Sequence, residues 1–428
     1  LYTSGTTGLP KGVACSHRNL MVHDLPPDAA PGAAVPVSFL HAFPVGTQAA
    51  QEALRVPLRI AGRTAIALPA FDSRLLGALV ERHRVARLQL VPATAHLLVA
   101  SGACRDHDVS SVRRVILSSA PAAPALFRRL REAFPQASVW NSYALTEAGP
   151  ARTLMEWDER RPTAVGRPVG ETEIRIVAAD GRVVDRGETG EIWLRRPGAP
   201  PRAYYRDPEA TAEAFAGGWV HTGDLGHVDE DGYLHLTDRR KDLIISGGSN
   251  VSSVEVEHAL YEHPAVVDAA VVGLPLPVLG EDVAAAVVVR APTPARELQD
   301  VVRARLAEHK VPHRVAFVDR LPRKPSGKVV KADVRALFHA PVGEPTGPTD
   351  ETEAVVSSVW EAVLGLPRVG IHDDFYALGG HSLAAAQIAA RLNDAFDVEL
   401  PVVAVLESPT VAELARVVRR AATGAPAG

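Results

Sequence analysis

Tyr2-Thr3-Ser4-Gly5-Thr6-Thr7-Gly8-Leu9-Pro10-Lys11-Gly12 is the stretch on which the reading of this chain turns. Its hydroxyls, glycines and terminal lysine can wrap phosphate oxygens with backbone amides, side-chain donors and a point charge. It is not a Walker loop, because Pro10 stands where a glycine must precede the lysine. A flexible turn is the competing reading of the loop taken alone. Residue 1 is Leu, and such a loop normally follows a strand deep inside a domain, so a missing N-terminal portion is expected.

At the far end, Asp374-Phe375-Tyr376-Ala377-Leu378-Gly379-Gly380-His381-Ser382-Leu383 sets one serine behind two glycines. The apolar residues Leu383, Ile388, Leu392 and Phe396 then follow helical spacing, which puts Ser382 at the positive end of a helix dipole, where a phosphodiester is favoured. An ordinary N-cap after a glycine turn has the same appearance.

The 428 residues allow roughly three domains. A net charge of −4 gives no basic field for nucleic acid, and no apolar run reaches the ~18 residues of a membrane span. Cys15 and Cys104 cannot make a disulfide framework, so a soluble protein of the reducing cytoplasm is expected.

Residues 1 to 240 alternate short apolar strands (Val115 to Leu117, Ile174 to Val177, Glu191 to Leu194) with helical stretches (Leu75 to Val85, Ala125 to Ala133), an α/β body. Glycine turns predict a β-rich subdomain over 165 to 235. Residues 241 to 338 read as a smaller α+β unit, with helices at Ser253 to Tyr261 and Arg296 to His309 and strands at Val266 to Val272 and Asp282 to Val289. Prolines and glycines make 339 to 350 a linker, and 351 to 424 is helical throughout, a small four-helix bundle.

The first loop resembles the phosphate loop of the adenylate-forming superfamily, which includes acyl-CoA synthetases and nonribosomal peptide synthetase adenylation domains. Four more segments stand in that family's order. Asn141-Ser142-Tyr143-Ala144-Leu145-Thr146-Glu147 is similar to the adenine-adjacent motif and His221-Thr222-Gly223-Asp224-Leu225 to the ribose motif. Asp238-Arg239-Arg240-Lys241-Asp242 is similar to the hinge and Pro325-Ser326-Gly327-Lys328 to the mobile-domain lysine loop. The segment around Ser382 resembles the modification site of peptidyl and acyl carrier proteins.

The resemblance implies a core at 1 to 240 incomplete at its N-terminus, a mobile lid at 241 to 338 and a carrier at 351 to 424. It implies ATP binding by Thr3, Ser4, Gly5, Thr6, Thr7, Gly8, Tyr143, Thr146, Asp224 and Arg239, with Lys328, Glu147 and Lys11 in catalysis. Glu147, a hard carboxylate, would hold Mg²⁺, and ionised Asp224 would accept from ribose hydroxyls. Lys241 becomes the hinge, Gly247 and Gly248 the thiol tunnel, and Ser382 the attachment point of 4′-phosphopantetheine. Phe39, His41, Phe43, Ser119, Ala120 and Ala144 become the acyl pocket, Ala144 departing from the family's usual glycine.

Amino-acid activators usually carry an aspartate soon after the pocket motif. Phe39 to Gln48 holds no acid, so a carboxylic acid without a free α-amine, aryl or fatty, is expected. The implied partners are a phosphopantetheinyl transferase and downstream condensing or ketosynthase-type enzymes of secondary metabolism. An acyl-CoA synthetase using free coenzyme A, and an inactive fragment serving only as a carrier, are the rival readings.

Overall fold

A computed structural model of the chain describes residues 1–3, 11–21, 38–59, 64–276, 280–324, 327–338, 346–373, 375, 378, 380 and 382–423. Ser4 to Pro10, Pro325, Ser326 and most of Asp374 to His381 therefore lie outside the described residues.

One eleven-stranded sheet organises the first half of the chain. Its parallel part runs Thr64–Ala67, Ser38–His41, Arg87–Leu90, Arg114–Leu117, Ser138–Ala144. These strands read as short apolar runs because helices such as Ser73–His83, Pro92–Ser101 and Pro124–Ala133 pack against them, burying Leu40, Leu76, Leu88, Leu117 and Phe127 in one core. The helix expected to reach Val85 ends at His83, where Arg84 takes φ 48°. Two β-branched or polar positions fewer are thereby asked to stay helical.

From Ser138–Ala144 the sheet continues antiparallel through Arg152–Glu156 and Ala164–Pro168. It then crosses by Ala164–Pro168 to Leu234–Arg239, Val220–Val228, Gly190–Arg195 and Glu173–Val177. The β-rich stretch is thus a continuation of the main sheet, joined through the pairing of Leu234 with Gly166. Glycine turns predict strands well but carry no information about which distant strand they will pair with.

A second, five-stranded sheet is formed by Ser249–Val251, Ile244–Ser246, Gly280–Val289, Val266–Leu276 and Arg314–Phe317. Helices Ser253–Tyr261 and Ala295–Arg303 cover one face. The helix read as reaching His309 stops at Arg303, and a 3₁₀ turn follows at Glu308–Lys310. The two sheets meet through Arg128, whose Nη2 donates to both Glu262 oxygens at 2.6 and 2.7 Å.

Helices Glu351–Leu364, Ser382–Phe396, Val402–Glu407 and Val411–Ala422 enclose a separate core around Trp360, Phe375, Ile388, Leu392 and Leu414. Asp350 caps the first helix by accepting from Glu353 N. Gly380 lies against Phe375, whose ring would stand 2.4 Å from an added Cβ. The glycine pair read from sequence thus has a packing reason at its second member. No helix among the described residues is long and apolar enough to cross a membrane.

Candidate active site

A cavity of about 600 Å³ opens between the two sheets. Its core wall begins with strand Ser138–Ala144, whose alternation buries Asn141 and Tyr143. The turn that follows, closed by Gly149 N donating to Leu145 O at 3.0 Å, delivers Thr146 and Glu147 to the same cavity.

Asp224 is a charged centre in the wall of this cavity. It lies opposite Arg239 in the antiparallel pair of strands, and Arg239 Nε stands 2.9 Å from its Oδ1. Tyr143 Oη donates to its Oδ2 at 2.8 Å. Each carboxylate oxygen has a further lone pair, so Asp224 can still accept two hydroxyl donors. Burial, reinforced by Asp224, pushes the Tyr143 phenol well above its ordinary range, and it stays a donor.

Tyr204 was not singled out from sequence, yet it connects two residues that were. Its hydroxyl donates to Glu147 Oε1 at 2.8 Å, and Lys11 Nζ lies 4.7 Å from its ring centroid. Lys11 also stands 3.5 Å from Asp207. Thr3 N donates to Lys11 O at 2.9 Å, closing the stem of the loop whose members Ser4, Gly5, Thr6, Thr7 and Gly8 lie outside the described residues. No cluster of three or more His, Cys, Asp or Glu side chains able to hold a metal occurs among the described residues. A single carboxylate such as Glu147 fits Mg²⁺, which keeps most of its waters and binds substrate phosphates.

The second sheet contributes Lys328. Gly327 before it has φ 81°, and a Cβ there would stand 2.9 Å from Val91 Cγ2, so glycine is required both by conformation and by contact with the core. Arg323 fixes this loop: its Nη1 donates to Gly327 O at 2.5 Å, and its Nη2 to both Asp268 oxygens at 2.7 and 2.6 Å. Burial, then Arg239, lowers the Lys328 pKa to about 8, while Asp224 and Glu147 pull the other way. Burial and Arg239 also hold Lys241 below the ordinary lysine range.

Thr3, Lys11, Phe43, Ser119, Ala120, Tyr143, Ala144, Thr146, Glu147, Asp224, Arg239, Lys241 and Lys328 all line this cavity. Phe39 and His41 are not among its lining residues. Both are buried: His41 stacks on Phe43 and lies tilted against Phe39, and its Nδ1 accepts from Phe43 N at 3.1 Å. Phe39, Leu40 and His41 are all buried, so this strand is covered on both faces, and the two side chains lie inside the protein beside Phe43, which does line the cavity. Gly247 and Gly248 form the turn between Ile244–Ser246 and Ser249–Val251, also outside the lining. Ser382 begins helix Ser382–Phe396, and its side chain lies outside the described residues.

A family model for AMP-binding enzymes matches residues 1–205, one for the AMP-binding enzyme C-terminal domain 255–328, and one for the phosphopantetheine attachment site 354–418. The chain is 38% identical over 346 residues to a feruloyl-CoA synthase from an Amycolatopsis species, covering 79% of this chain and 69% of the relative.

The chain belongs to the AMP-binding enzyme family, fused to a phosphopantetheine attachment domain.

Among solved structures, the amide bond synthetase McbA from Marinactinospora thermotolerans superposes with a TM-score of 0.67 at 38% identity, over 79% of this chain and 68% of that one. The o-succinylbenzoate coenzyme A synthetase of Bacillus subtilis, in complex with ATP and magnesium ion, gives 0.66 at 32%, over 78% and 69%. The match at 354–418 gives this AMP-binding enzyme an attachment domain for a 4′-phosphopantetheine arm.

Proposed function

We propose that the chain activates a carboxylic acid lacking a free α-amine as its acyl-adenylate and loads it as a thioester at Ser382. The observation that carries this reading is the convergence of Lys328 from one sheet on Asp224, Arg239 and Glu147 from the other, within one cavity. A carboxylate oxygen of the acid attacks the α-phosphorus of ATP, and the bond to the β-phosphate oxygen breaks to release pyrophosphate. In this arrangement Asp224 holds the ribose, Lys11 and the loop bind the phosphates, and Glu147 holds Mg²⁺. Protonated Lys328 faces the charge that develops between acid and α-phosphate. Phe43, Ser119, Ala120 and the Ala144 methyl bound the acyl side. Relatives of similar identity carry aryl acids in some of their names and fatty acids in others, so the acid is of the aryl or the fatty class.

The arm, when bound, supplies a thiol that displaces AMP from the adenylate. Residues 1–240, 241–338 and 351–424 act as core, lid and carrier, with 339–350 as tether and Lys241 as pivot. A tether this short gives the thiol an effective concentration of order millimolar where geometry allows. A separate transferase installs the arm, and condensing-type enzymes take the acyl group onward.

Mass spectrometry of the phosphopantetheinylated chain, incubated with ATP, Mg²⁺ and a panel of aryl and aliphatic acids, tests this. An acyl mass on Ser382 that is absent from Ser382→Ala supports the proposal. Acyl-coenzyme A formed equally by Ser382→Ala, with no acyl mass on the wild type, refutes the loading step and favours free coenzyme A as acceptor.

A further inference from the structure

A second cavity, of about 290 Å³, lies beside the first, and His96 stands in the wall of both. Its other walls come from both sheets' layers. Arg105 belongs to helix Ala103–Asp106, and Arg129 and Glu132 to helix Pro124–Ala133, on the core side. From the lid come Val267 and Arg290, the latter tied down by its N–H donating to Ala265 O at 2.9 Å. Three guanidiniums thus face one carboxylate. Among the described residues no ion pair or side-chain hydrogen bond engages Arg105, Arg129 or Arg290, whereas their neighbour Arg128 pairs with both Glu262 and Glu159. Burial first, and then Arg290, hold the Arg129 guanidinium below its ordinary range, against the pull of Glu262 and Glu132. His96, lowered to about 3 by burial and by Arg129 and Arg323, is neutral and offsets none of that charge.

We propose that this cavity binds a phosphate group, held by Arg105 and Arg129 of the core and Arg290 of the lid, and that the bound phosphate keeps the lid in the orientation seen here. Guanidinium forks match phosphate oxygens bidentately. A phosphate monoester carries about −1.5 to −2 near pH 7, which balances three arginines and one glutamate; a lone carboxylate does not. The site exists only while core and lid walls stand together, so its ligand favours that arrangement over any in which they part. The kinetic consequence rests on the proposed function: with Lys328 in the first cavity, an occupied second cavity promotes adenylation and slows thiol transfer.

The test is a ³¹P NMR titration of the full chain with inorganic phosphate at fixed ionic strength, in a Lys11→Ala background that weakens phosphate binding in the first cavity. Hydrogen exchange of helix Pro124–Ala133 is followed in parallel. Saturable binding that protects this helix, and that weakens at least tenfold on adding Arg129→Gln or Arg290→Gln, is expected. Arg290 is exposed, so its substitution leaves the fold intact. No saturable binding, or binding indifferent to both substitutions, overturns the proposal. This readout needs no turnover, so it stands or falls separately from the adenylation reading. Competition by coenzyme A but not by 3′-dephospho-coenzyme A would identify a 3′-phosphate as the natural source. Competition by free 4′-phosphopantetheine would identify a 4′-phosphate monoester, not the singly charged phosphodiester of the arm on Ser382, as the source, and either result supports the site.

Discussion

Replacing Lys328 by Met should make this enzyme more stable and less active at once. The buried ammonium titrates at about 8 instead of the ordinary 10.5. At 1.36 kcal/mol per pH unit, that displacement costs the folded state about 3 kcal/mol at pH 7. The sign follows from proton counting: between pH 8 and 10.5 the unfolded chain binds the proton that the folded chain has lost, so wild-type stability rises with pH across that window. Met carries no such penalty. Urea unfolding should therefore show Lys328→Met ahead by about 3 kcal/mol at pH 7, with the gap closing toward pH 10.5. In ATP–pyrophosphate exchange, wild-type kcat/KM should fall above an apparent pKa of about 8, since the charged form does the work. Lys328→Met should lose about 10² to 10³ in rate and the descending limb with it. A variant less stable than wild type at pH 7, or a wild-type profile flat from pH 7 to 10, would refute the assignment of a desolvated, working ammonium.

Asp224→Asn keeps the shape but leaves Arg239 without its charge partner; stability should fall by about 1 to 3 kcal/mol, and a fluorescent AMP analogue should bind at least tenfold more weakly. Tyr204→Phe removes the donor to Glu147 Oε1, and the Mg²⁺ concentration giving half-maximal exchange should rise several-fold. A fall instead would mean that the tyrosine competes with the metal. Arg323→Lys cannot bridge Asp268 and Gly327 at once, so exchange should drop at least tenfold while thiol transfer from supplied acyl-adenylate survives. Gly380→Ala pushes a methyl into the Phe375 ring; calorimetry should show the carrier transition lowered by about 1 to 3 kcal/mol with the other transitions unmoved.

Local pattern accounts for much of this molecule. Short apolar runs bounded by turns located Val115 to Leu117, and 3.6-residue periodicity located Ser253 to Tyr261 and the helices around Trp360, because a buried face must repeat at the element's own period. Tyr143, Glu147, Asp224, Arg239 and Lys328 stand out in the sequence because each lies on a short segment whose residue types suit a phosphate or ribose contact, and all five line one cavity. Partnership across the chain was not legible. Tyr204 meets Glu147 across 57 positions, and Arg323 reaches Asp268 across 55, with no spacing rule to announce either. His41 and Phe39 lie buried beside Phe43 and outside the lining of the cavity, a placement set by what covers both faces of their strand, which a four-residue run cannot announce. The basic cavity formed by Arg105, Arg129 and Arg290 exists only because core and lid come to lie side by side. Sequence by itself determined the elements, their order and the reactive groups, since these depend on neighbours a few residues away. Tertiary structure alone decided which groups share a cavity and how far burial shifts them, because desolvation and long-range charge depend on what the distant chain packs against.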